Sequence, residues 1–201
     1  MNLKGKDRIL KSAKELISEK GLQQASVREI SKLAGVTTGS IYHHYKNKEE
    51  ILYEIMDTSL NESHKILEEY IHDETVNCET MNSDILDNVL KSFINRFEKD
   101  SENKIQLYLS VLGIEGNEEI KSKMIVKYNT WIVDVAQLLT LTYKDMTISK
   151  VNALSCVLLA TIDGLILQNL IGVDIANNDD ILEIYTLLLK KAIPEVINSI
   201  K

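Results

Sequence analysis

Ser26-Val27-Arg28-Glu29-Ile30-Ser31-Lys32-Leu33-Ala34-Gly35-Val36-Thr37-Thr38-Gly39-Ser40-Ile41-Tyr42-His43-His44-Tyr45 decides the fold of this chain. Ser26 with Glu29 three residues on is a capping box, the start signal of a helix. Val27, Ile30, Leu33 and Ala34 recur at helical steps and form its apolar face. Gly35 ends it, because glycine takes the left-handed cap conformation without steric cost. Thr37 or Thr38 caps a second short helix that runs to Tyr45. Two short helices about a glycine turn are a helix-turn-helix, here over about 26–45, whose second helix enters the major groove of DNA. At its start Thr37, Thr38, Gly39 and Ser40 are small and polar and let backbone approach a duplex. Tyr42 and His43 reach phosphates or a thymine methyl. Ser26 and Arg28 open the preceding helix, beside the flanking phosphates, and a helix N-terminus offers free N–H groups to them.

Upstream, Ile9, Leu10, Ala13, Leu16 and Ile17 mark an apolar stripe on a helix over about 4–20, closed by Gly21. Downstream, Asn47-Lys48-Glu49-Glu50 is a second capping box. It opens a long helix to about residue 71, with Leu52, Ile55, Met56, Leu60 and Leu67 at core spacings; about 25 residues span about 37 Å. Lys48 lies in its first turn, where the helix dipole disfavours a cation by a few tenths of a kcal/mol unless a phosphate lies opposite. A polar connector covers 72–82. Helical patterns then recur at about 83–99, 102–112, 117–141, 149–171 and 180–192, and Pro194 is expected to end or kink the last. No stretch alternates with period two. The reading is all-α, about nine helices: an N-terminal three-helix DNA-binding domain over 1–48 and a helical body over 49–201.

The composition at first points away from nucleic acid. The 201 residues carry a formal charge of −7, whereas DNA-binding domains are usually basic. The charge is split, however. Residues 1–50 hold ten Lys or Arg against six Asp or Glu, a net +4, which leaves −11 on the rest. Cys78 and Cys156 are too few and too far apart for a disulfide framework or a zinc site, and read as reduced thiols. The N-terminus lacks an apolar signal-peptide core. Residues 151–171 are the most apolar stretch, but Asn152, Ser155, Thr161, Asp163, Gln168 and Asn169 mark it as a buried helix of a soluble, cytoplasmic protein and not a membrane span. No phosphate loop, paired-histidine metal spacing or nucleophile site supports an enzyme, and no cofactor or metal is expected. His64 and Glu68 lie one helical turn apart, but two groups do not make a metal site.

The run from Ser26 through Lys48-Glu49-Glu50-Ile51-Leu52 resembles the TetR family of bacterial transcriptional repressors, and the likeness covers about residues 3–63. It departs from the family pattern at Tyr45, where phenylalanine is usual; an aromatic plug is retained and belongs in the core. The resemblance implies a homodimer that binds a double-stranded operator and is released by a small-molecule effector. It assigns DNA contacts to Ser26, Arg28, Thr37, Thr38, Ser40, Tyr42, His43 and Lys48. It also implies that the last two long helices pair with their mates as a four-helix bundle, which places Gly164, Leu167, Gln168, Ile184 and Leu188 at the dimer interface.

Candidate effector-lining residues are Phe93, Phe97, Tyr108, Leu112, Met124, Tyr128, Trp131 and Val135, whose spacing also suits plain core packing. Asp163 needs a partner, since an apolar helix does not leave a carboxylate alone; it orients a ligand or pairs within the fold. The competing readings are a DNA-binding regulator or nucleoid protein without a ligand, and a helical enzyme.

Overall fold

The computed structural model describes residues 5–71, 87–88, 91–92, 95–142, 146–173 and 177–200. Among these there is no strand. The helices are α1 (Gly5–Lys20), α2 (Val27–Ala34), α3 (Thr38–His44), α4 (Lys48–Ser59), α5 (Glu62–Ile71), α6 (Asp100–Ile114), α7 (Glu118–Thr142), α8 (Ile148–Leu170), α9 (Asn178–Leu187) and α10 (Ile193–Ile200). Residues 87–88, 91–92 and 95–97 are also helical. The connector over 72–82, Cys78 and part of the helix expected over 83–99 lie outside the described residues.

The chain forms two compact units. The first joins Met1–Leu60 with Lys99–Ile125; the second joins Asn61–Glu98 with Val126–Lys201. The first unit therefore does not end at residue 48. Ile51, Leu52, Ile55 and Met56 of α4 are fully buried in it, as are Ile105 and Leu109 of α6. Each side chain of this size contributes roughly 1.5–3 kcal/mol on burial. The expected stripe on α1 is present, with Ile9, Ala13, Leu16 and Ile17 buried. On α2 the buried residues are Ile30, Ser31 and Ala34, whereas Leu33 is exposed. Ser31 fits inside because its hydroxyl donates to the Arg28 carbonyl at 2.8 Å.

The long helix expected from Asn47 to residue 71 is broken. Leu60 leaves helical geometry at φ −108°, ψ 50°. Two lysines hold the last turn of α4: Lys99 donates to the Ser59 carbonyl at 2.6 Å and Lys14 to the Ser59 hydroxyl at 2.7 Å. Asn61 begins the next helix, its carbonyl accepting from the Lys65 N–H at 3.2 Å. Of the two outcomes expected at Pro194, an end or a kink, the helix shows an interruption of its α geometry just ahead of the proline. A π turn over Leu188–Ala192 precedes it, with the Ile193 N–H bonded to the Leu188 carbonyl. The extra residue in that turn relieves the backbone ahead of the proline ring, so α10 continues.

In the second unit Tyr185, Leu189 and Ile193 form a core against Leu154, Leu158, Ile162 and Leu165 of α8. A second cluster joins Ile66 and Leu67 of α5 to Leu138 of α7. The opposite side of α8 is not covered: Val157, Leu167 and Ile171 are exposed. The sequence reading of a buried helix is thus half right. By length and composition α8 would also suffice to cross a membrane, with mean hydropathy 1.7.

Candidate nucleic-acid interface

Three side-chain caps build the reading head. Ser26 accepts from the Glu29 N–H at 3.2 Å and starts α2. Gly35 closes α2 at φ +62°, and the Val36 N–H returns to the Ser31 carbonyl at 3.0 Å. Thr37 accepts from the Ser40 N–H at 3.0 Å and starts α3. Asn47 accepts from the Glu50 N–H at 2.9 Å, and Glu50 accepts in return from the Lys46 N–H at 2.7 Å. That backbone bond is the largest cause holding the Glu50 carboxyl below its ordinary pKa, with Lys123 and Lys46 adding to it. Ile41, fully buried, and Tyr45, 4% exposed, pin α3 to the domain. The expectation that Tyr45 plugs the core therefore holds.

The pinned helix turns its other face to solvent. Ser26, Arg28, Thr37, Thr38, Gly39, Ser40, Tyr42 and His43 are all exposed. Tyr42 is 57% exposed, unusual for a tyrosine with no apolar cover and suited to a docking surface. The Thr37 and Ser40 hydroxyls lie 2.9 Å apart and share one hydrogen bond, so part of their capacity serves the cap. Lys48 differs from the rest. Its ammonium donates to the Leu22 carbonyl and lies 5.8 Å from the Tyr108 ring centroid. Burial lowers its pKa, with Glu49 acting against that. Lys46, which the sequence reading passed over, is the more exposed cation at this corner: 77% of its side chain is open and its carboxylate partners stand at 4.0 Å. Its place directly before the Asn47 cap was the available signal.

The effector candidates are divided between the two units. Tyr108, Leu112 and Met124 belong to the first unit, where the Tyr108 hydroxyl donates to Glu49 at 3.3 Å. Burial, then Glu49, raises the Tyr108 pKa. In the second unit Tyr128, Trp131 and Asp163 do come together. The Tyr128 hydroxyl donates to Asp163 at 2.8 Å, and Arg96 reaches the other carboxylate oxygen at 3.4 Å. Trp131, 2% exposed, has the Arg96 guanidinium 5.5 Å and the Lys127 ammonium 5.3 Å from its ring centroid. Asp163 thus pairs within the fold. Arg96 was the missed partner; it is the sole arginine beyond residue 28 and stands in the same unit as the stranded carboxylate. Phe97 packs on the Tyr185 cluster, where burial pushes the Tyr185 phenol up to about 12. Val135 is half-buried, and Phe93 lies outside the described residues.

The five residues assigned to a dimer interface are accessible in this chain. Leu167, Gln168, Ile184 and Leu188 are exposed. A methyl group built on Gly164 would meet nothing within 4 Å.

Residues 9–55 match the family model of bacterial regulatory proteins, tetR family. Over 51 residues the chain is 37% identical to the HTH-type transcriptional repressor KstR2 of Mycolicibacterium smegmatis, 25% of each protein. Over 63 residues it is 40% identical to the fatty acid metabolism regulator protein of Bacillus subtilis, 31% of this chain and 32% of that one. These matches span between a quarter and a third of the relatives' own length. The fold likeness extends further. The fatty acid degradation regulator FadR from Bacillus halodurans superposes with TM-score 0.68 at 17% identity, over 94% of this chain and 96% of that one. A transcriptional regulator from Saccharomonospora viridis, solved in complex with choline, gives TM-score 0.68 at 19% identity over 92% and 95%. The capped helix-turn-helix of this chain is thus similar to the one in bacterial regulatory proteins of the tetR family, and the likeness in sequence is confined to that region.

Proposed function

We propose that the chain is a ligand-responsive transcriptional repressor, cytoplasmic and not an enzyme, that binds a palindromic operator as a homodimer and is released by a small-molecule effector. The observation that carries this reading is the solvent face of α3: a rigidly capped helix whose exposed side includes Thr38, Gly39, Tyr42 and His43. Ser26, Arg28, Thr37 and Ser40 extend that face, with Lys46 and Lys48 at its edge. The outer side of α8, with Gly164, Leu167 and Gln168, and the exposed Ile184 and Leu188 supply the dimer contact. An apolar face of that extent calls for a cover. A second copy is the better cover than lipid, because Asp163 and Gln168 on α8 would be costly in hydrocarbon.

The effector site lies in the second unit, around Asp163, Tyr128, Trp131 and Arg96. A ligand that competes for one partner of that cluster binds one arrangement of the unit better than another. It lowers operator affinity by that differential affinity and no more. A symmetric dimer reads half-sites about 34–36 Å apart, so a change in head spacing suffices.

The test is fluorescence anisotropy on a labelled fragment carrying the upstream region of the gene. Tyr42→Ala should weaken binding about tenfold, as expected for loss of one good contact, while sedimentation still shows the dimer. Unchanged affinity removes α3 from the interface. A metabolite screen scored by loss of anisotropy then identifies the effector.

A further inference from the structure

Four charged side chains meet at one corner of the first unit: Lys46 just ahead of α4, Glu50 in its first turn, and Glu119 and Lys123 from the first two turns of α7. The backbone beneath them is fixed. Asn117 accepts from the Ile120 N–H at 3.1 Å and starts α7, and Ile120 is 2% exposed. Helix α6 grips the same turns, because a methyl group built on Gly113 would stand 3.0 Å from the Lys121 Cα. On the side of α4 the Tyr53 hydroxyl donates to the Lys123 carbonyl at 3.4 Å, and the Lys123 ammonium lies 5.7 Å from the Tyr53 ring centroid. The Lys46 N–H is held by Glu50, so only the Lys46 side chain is free to change direction.

The two lysines compete for the same two oxygens. Glu50 Oε1 stands 3.3 Å from the Lys123 ammonium and 4.0 Å from that of Lys46. Glu119 Oε1 stands 3.1 Å from Lys123 and 4.0 Å from Lys46. Lys123 makes the closer approach in both cases. Burial pulls its pKa down, but the bonds to Glu119 and Glu50 together raise it above the ordinary value, so its charge is kept. Lys46 has the two looser contacts, and 77% of its side chain is open, against 31% for Lys123. Leaving these carboxylates costs Lys46 little, because ion pairs at such exposure are screened and weak. Its departure also strands neither carboxylate, because Lys123 remains on both.

We propose that Glu119 is a positioning residue for DNA binding, which together with Lys123 sets how fully the Lys46 ammonium is available to a phosphate. Glu119 draws Lys46 back towards α7; Lys123 competes for Glu119 and frees Lys46 to turn outward. These two residues, one helical turn apart on α7, therefore act on DNA affinity with opposite sign, although neither is assigned a contact to the duplex. The proposal rests on the reading of the α3 face as the DNA surface and deepens it at that surface's edge. All four residues belong to the first unit, so the device is complete within it.

Anisotropy of the full-length protein with the labelled upstream fragment, across about 0.05–0.2 M salt, tests it. Glu119→Gln should tighten binding about two- to fivefold, the range of one exposed ion pair, and Lys123→Gln should weaken it by a similar factor. A gain in affinity cannot come from a damaged fold. Glu118→Gln removes the same charge one residue away, where the partner is Lys121 at 3.3 Å, and should change affinity by less than about twofold. In a Lys46→Ala background neither Glu119→Gln nor Lys123→Gln should change affinity, since the residue they act through is gone. An equal gain from Glu118→Gln, or a gain from Glu119→Gln that survives Lys46→Ala, overturns the proposal, because general charge and not Lys46 would then be responsible. Unchanged affinity in Glu119→Gln overturns it too; if Lys46→Ala still lowers the salt dependence, the phosphate contact survives that failure. Absence of binding by the unaltered chain at about 0.05 M salt would instead overturn the DNA-binding reading as a whole, and the proposal with it.

Discussion

The two units of this chain satisfy their apolar residues in different ways. In the first, α1, α4 and α6 bury Ile9, Ala13, Ile51, Leu52, Ile55, Met56, Ile105 and Leu109 to 1% exposure or less. Helices α1 to α4 each begin at a side-chain cap or end at a glycine. In the second, α8 packs one side on Tyr185, Leu189 and Ile193 and leaves Val157, Leu167 and Ile171 in solvent. The first unit leaves apolar side chains exposed as well, Leu107, Val111 and Ile114 of α6 among them, around a core that is itself fully buried. A unit that leaves half a helix uncovered carries its remaining stabilisation in an association. On the dimer proposed above, the first unit is the part whose integrity a single chain determines, and α8 the part whose cover depends on concentration.

That contrast can be broken outright. Ile55→Ala should cost about 2–5 kcal/mol of folding stability, the usual range for a fully buried branched side chain, seen as a lower denaturant midpoint. Leu167→Glu should leave the monomer's stability nearly unchanged and weaken self-association more than tenfold in sedimentation. If Leu167→Glu instead unfolds the chain, or Ile55→Ala only dissociates it, the two units do not differ as described. A smaller effect sharpens the role of the caps. Asn47→Ala should cost about 1 kcal/mol in thermal unfolding, by removing one acceptor from the first turn of α4.

The smallest effect separates two neighbouring lysines. Lys46→Ala should reduce the dependence of log affinity on log salt by about one, as for the loss of one phosphate contact. Lys48→Ala should lower the unfolding temperature, because its ammonium serves the Leu22 carbonyl. If Lys48→Ala also reduces the salt slope by about one, Lys48 leaves that carbonyl for a phosphate on binding.

The sequence made legible what is local. Ser26, Thr37 and Asn47 announce three helix starts, Gly35 a stop, and the 3.6-residue period of α1 its buried side. Those signals act over three or four residues, within reach of a single reading. The features that escaped it depend on distant residues. Nothing near Leu60 shows that Lys14 and Lys99 will bind Ser59 and divide a helix. The period of α2 includes Leu33, but periodicity does not record where the covering element ends. Among the effector candidates, Tyr128, Trp131 and Asp163 meet in the second unit, while Tyr108, Leu112 and Met124 lie in the first. Apolar spacing identifies a face, not the neighbour that it faces. The partner Arg96 stayed hidden because a cation and a ring can sit 35 residues apart in sequence and 5.5 Å apart in space.

The discontinuity of the first unit has a consequence for synthesis. Its core needs Ile105 and Leu109 of α6, yet 38 residues, Asn61–Glu98, are translated between Leu60 and Lys99. At about 5–20 residues per second, the ribosome reaches Ile125 roughly 3–13 s after Leu60. Throughout that interval α4 is without the α6 side chains that complete the first unit's core. The earlier part of this unit must wait for the later one to complete it.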